Sequence, residues 1–472
     1  MTTCLKLQQH IETFYHRVMR SSTIAFSDVV GNSFRFDPSY HLSEANHIRS
    51  VLKTLPYGIT NVASSADKVF IGNIFSRVFV NDPEYGIPYL AASDTVLANL
   101  DTRYYLSRKQ ASDLAYLMLQ KDWILITCSG TLGNVTYTNN NFEGRIATHD
   151  LIRIIPNDKE VLRGCLFAYL SSKYGYYQLT QSQFGGVVKH INADQAKNVA
   201  VPRFPLSFQQ TIDALIKEAA RLREESMLAL NEAHSLIEAH FPNTLDSHFY
   251  EQVSSSTIFC SQIHRFEASY YLSSGKQYDD YIKKHFYWKS LGEVSQTISR
   301  PGIAPRMYVK DGVSFLGGTE IFFSIPESKK KLSRAIPNFN DYLIQEGWVL
   351  LPRSGTISLG DVVFTNEQHA QKLVSEHVIR IIPNNILRRG FVFSFLSSKI
   401  GRSMIQRPIF GSVIQHIEPP LLAVIPIPIF EEEEMNKIAE LAEHHRECWG
   451  KAAKKELEAI SLVEQEIEKW HS

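Results

Sequence analysis

Two short motifs in this chain combine hydroxyl, imidazole and glycine residues, and each motif is present twice. The first copy consists of Ser129-Gly130-Thr131 and a loop with Gly185, Lys189 and His190, and the second consists of Ser354-Gly355-Thr356 and a loop with Gly411, Gln415 and His416. Glycine loops expose backbone amides, and the polar side chains add hydrogen-bond groups, so both copies are suited to contacting phosphates or base edges. The alternatives are plain turns between strands, and tight connections that pack the histidines inward.

A second set of candidates joins cations to aromatic rings, mostly in the segments that precede these motifs. Its members are Arg103, Tyr104 and Arg108 in the first half, and Arg300, Arg306, Lys310, Lys330, Arg334 and Arg353 in the second half. Arginine and lysine side chains hold phosphates and read guanine. The alternative is a solvated basic face.

The charge of the chain is balanced as a whole but segregated along its length. Lys and Arg number 49, and so do Asp and Glu. Positive charge is concentrated in residues 33–207 and 262–430, and negative charge in 208–261 and 431–472. This pattern favours polyanion contact by the two basic segments and contact with something else by the acidic ones.

The motifs belong to a long internal duplication. The strings IRIIPN and LSSK occur at 152–157 and 170–173 and again at 379–384 and 396–399, and RFDPSY at 35–40 is matched by RFEASY at 265–270. Each copy runs about 170 residues, which is the size of a domain rather than of a solenoid repeat. Apolar runs bounded by Gly, Asn and Ser predict strands at 123–127, 135–138 and 151–156, and single helices at 162–179 and 390–405.

Two long helices are predicted to follow the two domains. Leu215, Leu222 and Ala229 lie on one apolar seam, and Ile438, Trp449 and Ile467 lie on another. Since a lone helix with one apolar stripe is unstable, the two should pack together, antiparallel, as a coiled coil. We therefore predict an α+β, pseudo-two-fold chain: a first domain with an N-terminal helix (1–207), a spacer helix (208–241), a second domain (242–430) and a C-terminal spacer helix (431–472).

Several function classes are disfavoured by what the sequence lacks. It contains no GxxxxGK[ST] loop for ATP, no Asn/Asp-Pro-Pro-aromatic segment of an adenine methyltransferase, and no HExxH or paired His/Cys metal spacing. His444 and His445 on the last helix are a possible ligand pair by composition, but adjacent residues point to different faces, which favours seam and surface roles. We expect no catalytic residues, no metal and no cofactor in this chain. Five scattered cysteines and the lack of a long apolar run favour a reduced, cytoplasmic protein that does not span a membrane.

Together, the openings, the IRIIPN strands, the LSSK helices and the loops FGGVVKHI and FGSVIQHI resemble the specificity subunit of type I restriction–modification enzymes. The resemblance runs from about residue 33 to 470. It departs from the pattern mildly, since Pro419-Pro420 stand where the first copy has Asn192-Ala193.

The resemblance implies that each repeat is a target recognition domain that reads one half of a bipartite site in double-stranded DNA. The helices are then a spacer and a docking surface for two methyltransferase subunits, which use S-adenosylmethionine, with restriction or translocase subunits or another defence effector outside them. The copies differ most at 41–122 and 271–347, so the bases are expected to be distinguished there. The alternative function is a tandem scaffold that holds protein partners.

Overall fold

The computed structural model describes residues 26, 44–101, 103–130, 132–181, 190–242, 252–259, 265–355 and 358–470. The predicted N-terminal helix, the RFDPSY opening, and four residues of the candidate contact motifs (Thr131, Gly185, Lys189 and Thr356) lie outside the described residues.

The first unit is a mixed α/β domain. Its strands are β1 (Ile59–Asn61), β2 (Ala66–Ile71), β3 (Phe79–Val80), β4 (Gly86–Leu90), β5 (Tyr105–Ser107), β6 (Ile124–Thr127), β7 (Val135–Tyr137), β8 (Ile146–Ala147), β9 (Leu151–Pro156) and β10 (Ala200–Pro202). An antiparallel sheet has the order β2–β9–β6–β7, a second sheet has the order β3–β5–β4–β8, and β1 pairs with β10. Strand β6 is buried at every position, as its continuous apolar run predicts.

The helices of the first unit are α1 (Glu44–Lys53), α2 (Arg108–Ala111), α3 (Arg163–Ser171), α4 (Lys173–Gln181), α5 (Ala193–Lys197) and the long α6 (Leu206–Glu238). Helix α2 packs against the second sheet, through Ala111. The apolar faces of α1, α3, α4 and α6 share a single core with β2, β6 and β9.

The second unit repeats this plan. Its helices are α7 (Ser255–Phe259), α8 (Ala268–Leu272), α9 (Ser274–His285), α10 (Arg389–Ser397), α11 (Lys399–Gln406), α12 (Pro419–Ala423) and α13 (Glu432–Glu468). Its strands are β11 (Trp288–Ser290), β12 (Ser295–Ser299), β13 (Tyr308–Leu316), β14 (Lys331–Leu332), β15 (Val349–Pro352), β16 (Val363–Phe364), β17 (Leu373–Val374), β18 (Val378–Pro383) and β19 (Pro426–Pro428). The sheet β12–β18–β15–β16 matches β2–β9–β6–β7, the sheet β14–β13–β17 matches β5–β4–β8, and β11–β19 matches β1–β10. The predicted α+β duplication is confirmed.

The LSSK motif ends a helix, so the prediction of single helices at 162–179 and 390–405 is wrong. Ser172 and Ser398 both adopt extended backbone angles and separate α3 from α4 and α10 from α11. The Ser398 hydroxyl then accepts a hydrogen bond from the Gly401 amide, as an N-cap does. A Cβ at Gly401 would lie 2.0 Å from the Phe395 oxygen. Only glycine therefore lets the second helix turn back so closely on the first.

Helices α6 and α13 pack side by side and run antiparallel. Arg223 pairs with Glu456 at 2.6 Å, while Lys437 near the start of α13 pairs with Glu232 near the end of α6 at 3.0 Å. At 33 residues, α6 spans roughly 50 Å. Its first half contributes to the core of the first unit and its second half to that of the second. The predicted antiparallel pairing and pseudo-two-fold arrangement are confirmed. No helix in the described part of the chain has the length and apolar character needed to cross a bilayer.

A buried histidine makes the second unit sensitive to acid. His369 is fully buried; its Nε2 donates to the Ile321 carbonyl at 2.9 Å. Burial lowers its pKa to about 4, and Lys372 acts in the same direction. Because the unfolded imidazole binds its proton near pH 6.5, stability should fall as the pH drops from there towards 4, by at most about 1.4 kcal/mol per pH unit.

The test is urea unfolding followed across that pH range. We expect His369→Gln to be less stable at pH 7 and to lose about a third of the acid-side slope, because burial also lowers the pKa of His234 and of His445 to about 4. An unchanged slope in this variant would assign the pH dependence to other groups.

Candidate nucleic-acid interface

Ser129 and His190 of the first unit lie side by side although they are about 60 residues apart in the chain, and so do the serine motif and the glycine loop of the second unit. Ser129 forms a bridge with His190, and Ser354 forms the same bridge with His416. The contact continues through the amide of Ile417, which donates to the Arg353 carbonyl at 2.9 Å. The sequence suggested two separate features. In the structure, Ser129 with His190, and Ser354 with His416, form one continuous surface at the carboxyl end of β6 and of β15, which we call the ledge of each unit.

The second loop presents an apolar tip. Gly411 has φ +99°, and a Cβ there would lie 2.5 Å from the Ile414 carbonyl oxygen, so the tight turn requires glycine. Val413 is 86% exposed and Ile414 58% exposed. Exposed apolar residues beside polar groups contact thymine methyls or wedge between base steps in other DNA-binding proteins. Sequence reasoning missed this pair, although the repeated Val187-Val188 of the first loop was a signal.

Two carboxylates hold the predicted arginines near the second ledge. Glu418 accepts from Arg353 Nε at 2.9 Å and lies 3.7 Å from Arg300. Glu376 pairs with Arg306 at 2.5 Å. Burial opposes ionisation of Glu376, yet the hydrogen bond and charge of Arg306, a backbone hydrogen bond and the nearby His377 together outweigh it and hold the pKa of Glu376 below its ordinary value. The ion pairs hold these arginines in fixed positions, but the charge of each is partly neutralised by a carboxylate.

Three other cations of the second unit are exposed without such partners. Lys310, Lys330 and Arg334 lie on or beside the β13–β14 hairpin, and none forms an ion pair with a residue that the structure describes. Arg334 lies over the Phe339 ring at 5.9 Å. The hairpin also exposes Tyr308. An exposed strand with unpaired cations and an aromatic ring is the surface of this unit best suited to a polyanion.

The matching surface of the first unit is arranged differently. Tyr104 is half-exposed and packs against Phe79 at 5.5 Å. Arg108 is exposed and donates from Nε to the Glu84 carbonyl at 2.8 Å. Arg103, in contrast, pairs with Asp361 of the second unit at 2.5 Å. Burial raises the pKa of Asp361 to about 6, although Arg103 opposes the shift. Arg103 therefore joins the two units.

A second contact between the units lies on the pseudo-two-fold axis. Leu97 and Phe323 form an antiparallel bridge, in which the Ala98 amide donates to the Phe322 carbonyl at 2.9 Å and the Ser324 amide donates to the Val96 carbonyl at 2.7 Å. The chain distance from Leu97 to Phe323 equals that from Arg163 to Arg389, the first residues of α3 and α10. Equivalent residues thus pair with each other, as a two-fold axis requires.

The seam residues proposed for partner docking are used inside the chain. Leu222, Ala229, Ile438, Trp449 and Ile467 are buried, and Leu215 is partly buried. Trp449 also donates from Nε1 to the Ser324 carbonyl at 2.9 Å. Docking by the helices stays a prediction, and it would use their outward faces.

The solved structures that resemble this chain share little sequence identity with it. No curated sequence matches the chain. The type I restriction–modification S subunit of M. genitalium shares 12% identity over 88% of this chain and 96% of its own, with a TM-score of 0.35. The HsdS subunit of Thermoanaerobacter tengcongensis shares 14% identity over 88% and 97%, with a TM-score of 0.27. TM-scores this low carry no argument beyond the geometry above.

One family model matches part of the chain by sequence. Residues 72–222 match the model of the type I restriction modification DNA specificity domain. The matched segment begins after β2, includes the first ledge and ends within α6, and the second unit repeats its architecture. Over these residues, the chain is similar to the type I restriction modification DNA specificity domain.

Proposed function

We propose that this chain is the non-catalytic DNA-recognition subunit of a type I restriction–modification complex or of a related methylation-based defence complex. Each unit reads one half of a bipartite site in double-stranded DNA. The helix pair sets the number of unread base pairs between the halves and docks two methyltransferase subunits. S-adenosylmethionine belongs to those subunits, and a restriction motor or another effector joins them, in the cytoplasm.

One observation carries the proposal: the same ledge occurs twice, on two units that are related by an approximate two-fold axis. A bipartite site read by a two-fold protein places its half-sites one or more helical turns apart, about 34 Å for each turn. Helix α6 spans roughly 50 Å, which is compatible with such a separation. The ledges differ in their neighbouring side chains, which suits two different half-site sequences.

The units are also fixed relative to each other by direct contact. The Leu97–Phe323 bridge and the Arg103–Asp361 pair connect them away from the helices. Arg402 of α11 pairs with the same Asp361. A fixed separation is what a recognition subunit needs if it is to reject sites with one base pair too many or too few.

The alternative, a tandem scaffold for protein partners, is favoured by the exposed apolar tip Val413-Ile414 taken alone. It does not account for the unpaired cations on the β13–β14 hairpin. Under this alternative, the complex would assemble normally and bind DNA without sequence selectivity.

The decisive experiment maps methylated bases in the genome of the host and of a strain that lacks this chain. We expect one bipartite motif to be methylated in the host and to lose methylation in the deletion strain. Replacing residues 41–122 by 271–347 in the otherwise intact chain should alter one half of the motif and leave the other unchanged.

A host methylome in which no bipartite motif depends on the chain would count against DNA recognition. Co-purification of the partner subunits with the exchanged chain is the control, because it separates loss of reading from loss of assembly.

A further inference from the structure

Three potential metal ligands meet across the long helix pair. Glu225 comes from α6, while His444 and Cys448 come from successive turns of α13. A Glu225 carboxylate oxygen lies 2.8 Å from His444 Nε2, and the Cys448 sulfur lies 3.6 Å from the same nitrogen. Within the part of the chain that the structure describes, this is the group in which three such atoms come within 4.8 Å of one another.

The spacing of these atoms fits a tetrahedral ion. With metal–sulfur and metal–nitrogen bonds of the usual zinc lengths, the sulfur and nitrogen ligands lie about 3.5 Å apart, and a nitrogen and an oxygen ligand about 3.3 Å. The first separation is already present, and the second needs a shift of about half an ångström. The Cys448 sulfur also lies 3.8 Å from Nδ1, so its side chain must rotate towards the Nε2 side of the ring to meet the ion. The Glu225–His444 hydrogen bond keeps the two ligand atoms close together. An ion would bind between them in place of the shared proton.

We propose that Glu225, His444 and Cys448 bind a divalent transition-metal ion, zinc by the chemistry of the ligands, with water as fourth ligand. Thiolate, imidazole and carboxylate together are the ligand set typical of zinc. His444 is half-exposed and gives the ion access from solvent, while Cys448 is buried beneath it.

The surroundings of the three residues orient the ligands. Arg221 donates to the other Glu225 oxygen at 2.6 Å and leaves the first one to the ion. The positive charges nearby are balanced in turn, since Arg221 pairs with Glu218 and Lys451 with Glu447. Burial, followed by the Glu225 charge, raises the pKa of the Cys448 thiol to about 11, so binding must displace its proton.

An ion at this position joins the two helices near the middle of their contact. Helix α6 has Glu225 and Ser226 here, and α13 has His444 and His445, with Ser226 and His445 already bonded at 2.8 Å. The ion therefore fixes the register of the helix pair, which in turn fixes the separation of the two units. In the sequence, this metal site is indicated by the four-residue spacing of His444 and Cys448. The expectation of a metal-free chain overlooked that spacing. Glu225 comes from the other helix, so no local pattern includes it.

The test uses the full chain, stripped with a chelator and titrated with CoCl₂ and separately with ZnCl₂. We expect one equivalent of cobalt to bind, with the absorption bands of a tetrahedral site and a thiolate-to-cobalt charge-transfer band. Zinc should displace cobalt and raise the melting temperature. His444→Gln, a surface change, should weaken binding by more than the roughly 10–100-fold that loss of a supporting outer partner costs.

Cysteine variants distinguish this group from other thiols. Cys448→Ser should abolish the charge-transfer band, while Cys4→Ser and Cys260→Ser, which are matched controls, should retain it. Persistence of the band in Cys448→Ser, or full-strength binding by His444→Gln, would overturn the assignment. So would failure of the wild-type chain to bind either ion saturably.

Discussion

Neutralising Lys310, Lys330 and Arg334 together, each to glutamine, is expected to weaken DNA binding by the assembled complex and to flatten its dependence on salt. Each cation that contacts a phosphate contributes about 0.9 to the slope of log K against log salt, so the slope should fall by about 3. The three side chains are exposed and form no ion pair within the described residues. Their loss should therefore leave the fold intact.

The measurement is the dissociation constant at several salt concentrations, for the methylated motif and for a scrambled duplex. A matched control neutralises Lys159, Lys284 and Lys454, which lie after β9, on α9 and on α13, are exposed, and form no ion pair within the described residues. The control should bind like the wild type. If one hairpin cation reads guanine, its single variant should lose about 1–3 kcal/mol and relax selectivity at one base pair. Equal slopes for both triple variants would exclude the β13–β14 hairpin from the interface.

Replacement of Arg153 by alanine should destabilise the first unit by about 3–5 kcal/mol. Arg153 is 0% exposed, and its guanidinium donates to the carbonyls of Ala147, Thr148 and Leu151 at 2.9–3.0 Å. Burial lowers its pKa to about 10, so it is still charged at neutral pH. The side chain connects β9 of the first sheet to β8 of the second. Alanine leaves three buried carbonyls unpaired and a cavity between the sheets.

Arg380 provides the control, because it is the arginine of the second IRIIPN string. It is only partly buried, and it donates to the Asp341 carbonyl at 2.6 Å. Arg380→Ala should cost about 1 kcal/mol. Thermal unfolding of the full chain distinguishes the two, with a decrease of roughly 10 °C in the melting of the first unit for Arg153→Ala. Equal effects of the two substitutions would show that the carbonyl cluster contributes little.

The elements that follow from local sequence were the ones the sequence predicted well. Strand β6 is a short run of apolar residues, and β9 is the first copy of the IRIIPN string, so burial alone defines both. The long helices follow from heptad seams, and their ends differ by only a few residues from the prediction. The duplication then predicted two units in tandem, because equal strings in equal order imply equal folds.

The break between α3 and α4 could not be predicted from periodicity. Leu166, Leu170 and Tyr174 keep a helical spacing across it, although the backbone at Ser172 is extended. Whether the helix breaks at Ser172 depends on the close approach of Gly175 to the Leu170 backbone. That approach is a contact between two helices rather than a local preference of the backbone. Arg265, the first residue of the RFEASY string, has a structural role: it pairs with Glu267 at 2.7 Å and donates to the Pro408 and Ile409 carbonyls.

The sequence by itself therefore determined the duplication, the antiparallel helices, and the types of residue that are candidates for DNA contact. Only the tertiary structure decided which of those residues are available. Arg103 lies in the contact between the units, Arg306 pairs with Glu376, and Lys310 forms no ion pair with a residue that the structure describes. The physical reason is that a cation's role depends on which carboxylate lies within about 4 Å. Such neighbours come from distant parts of the chain, so no local pattern encodes them.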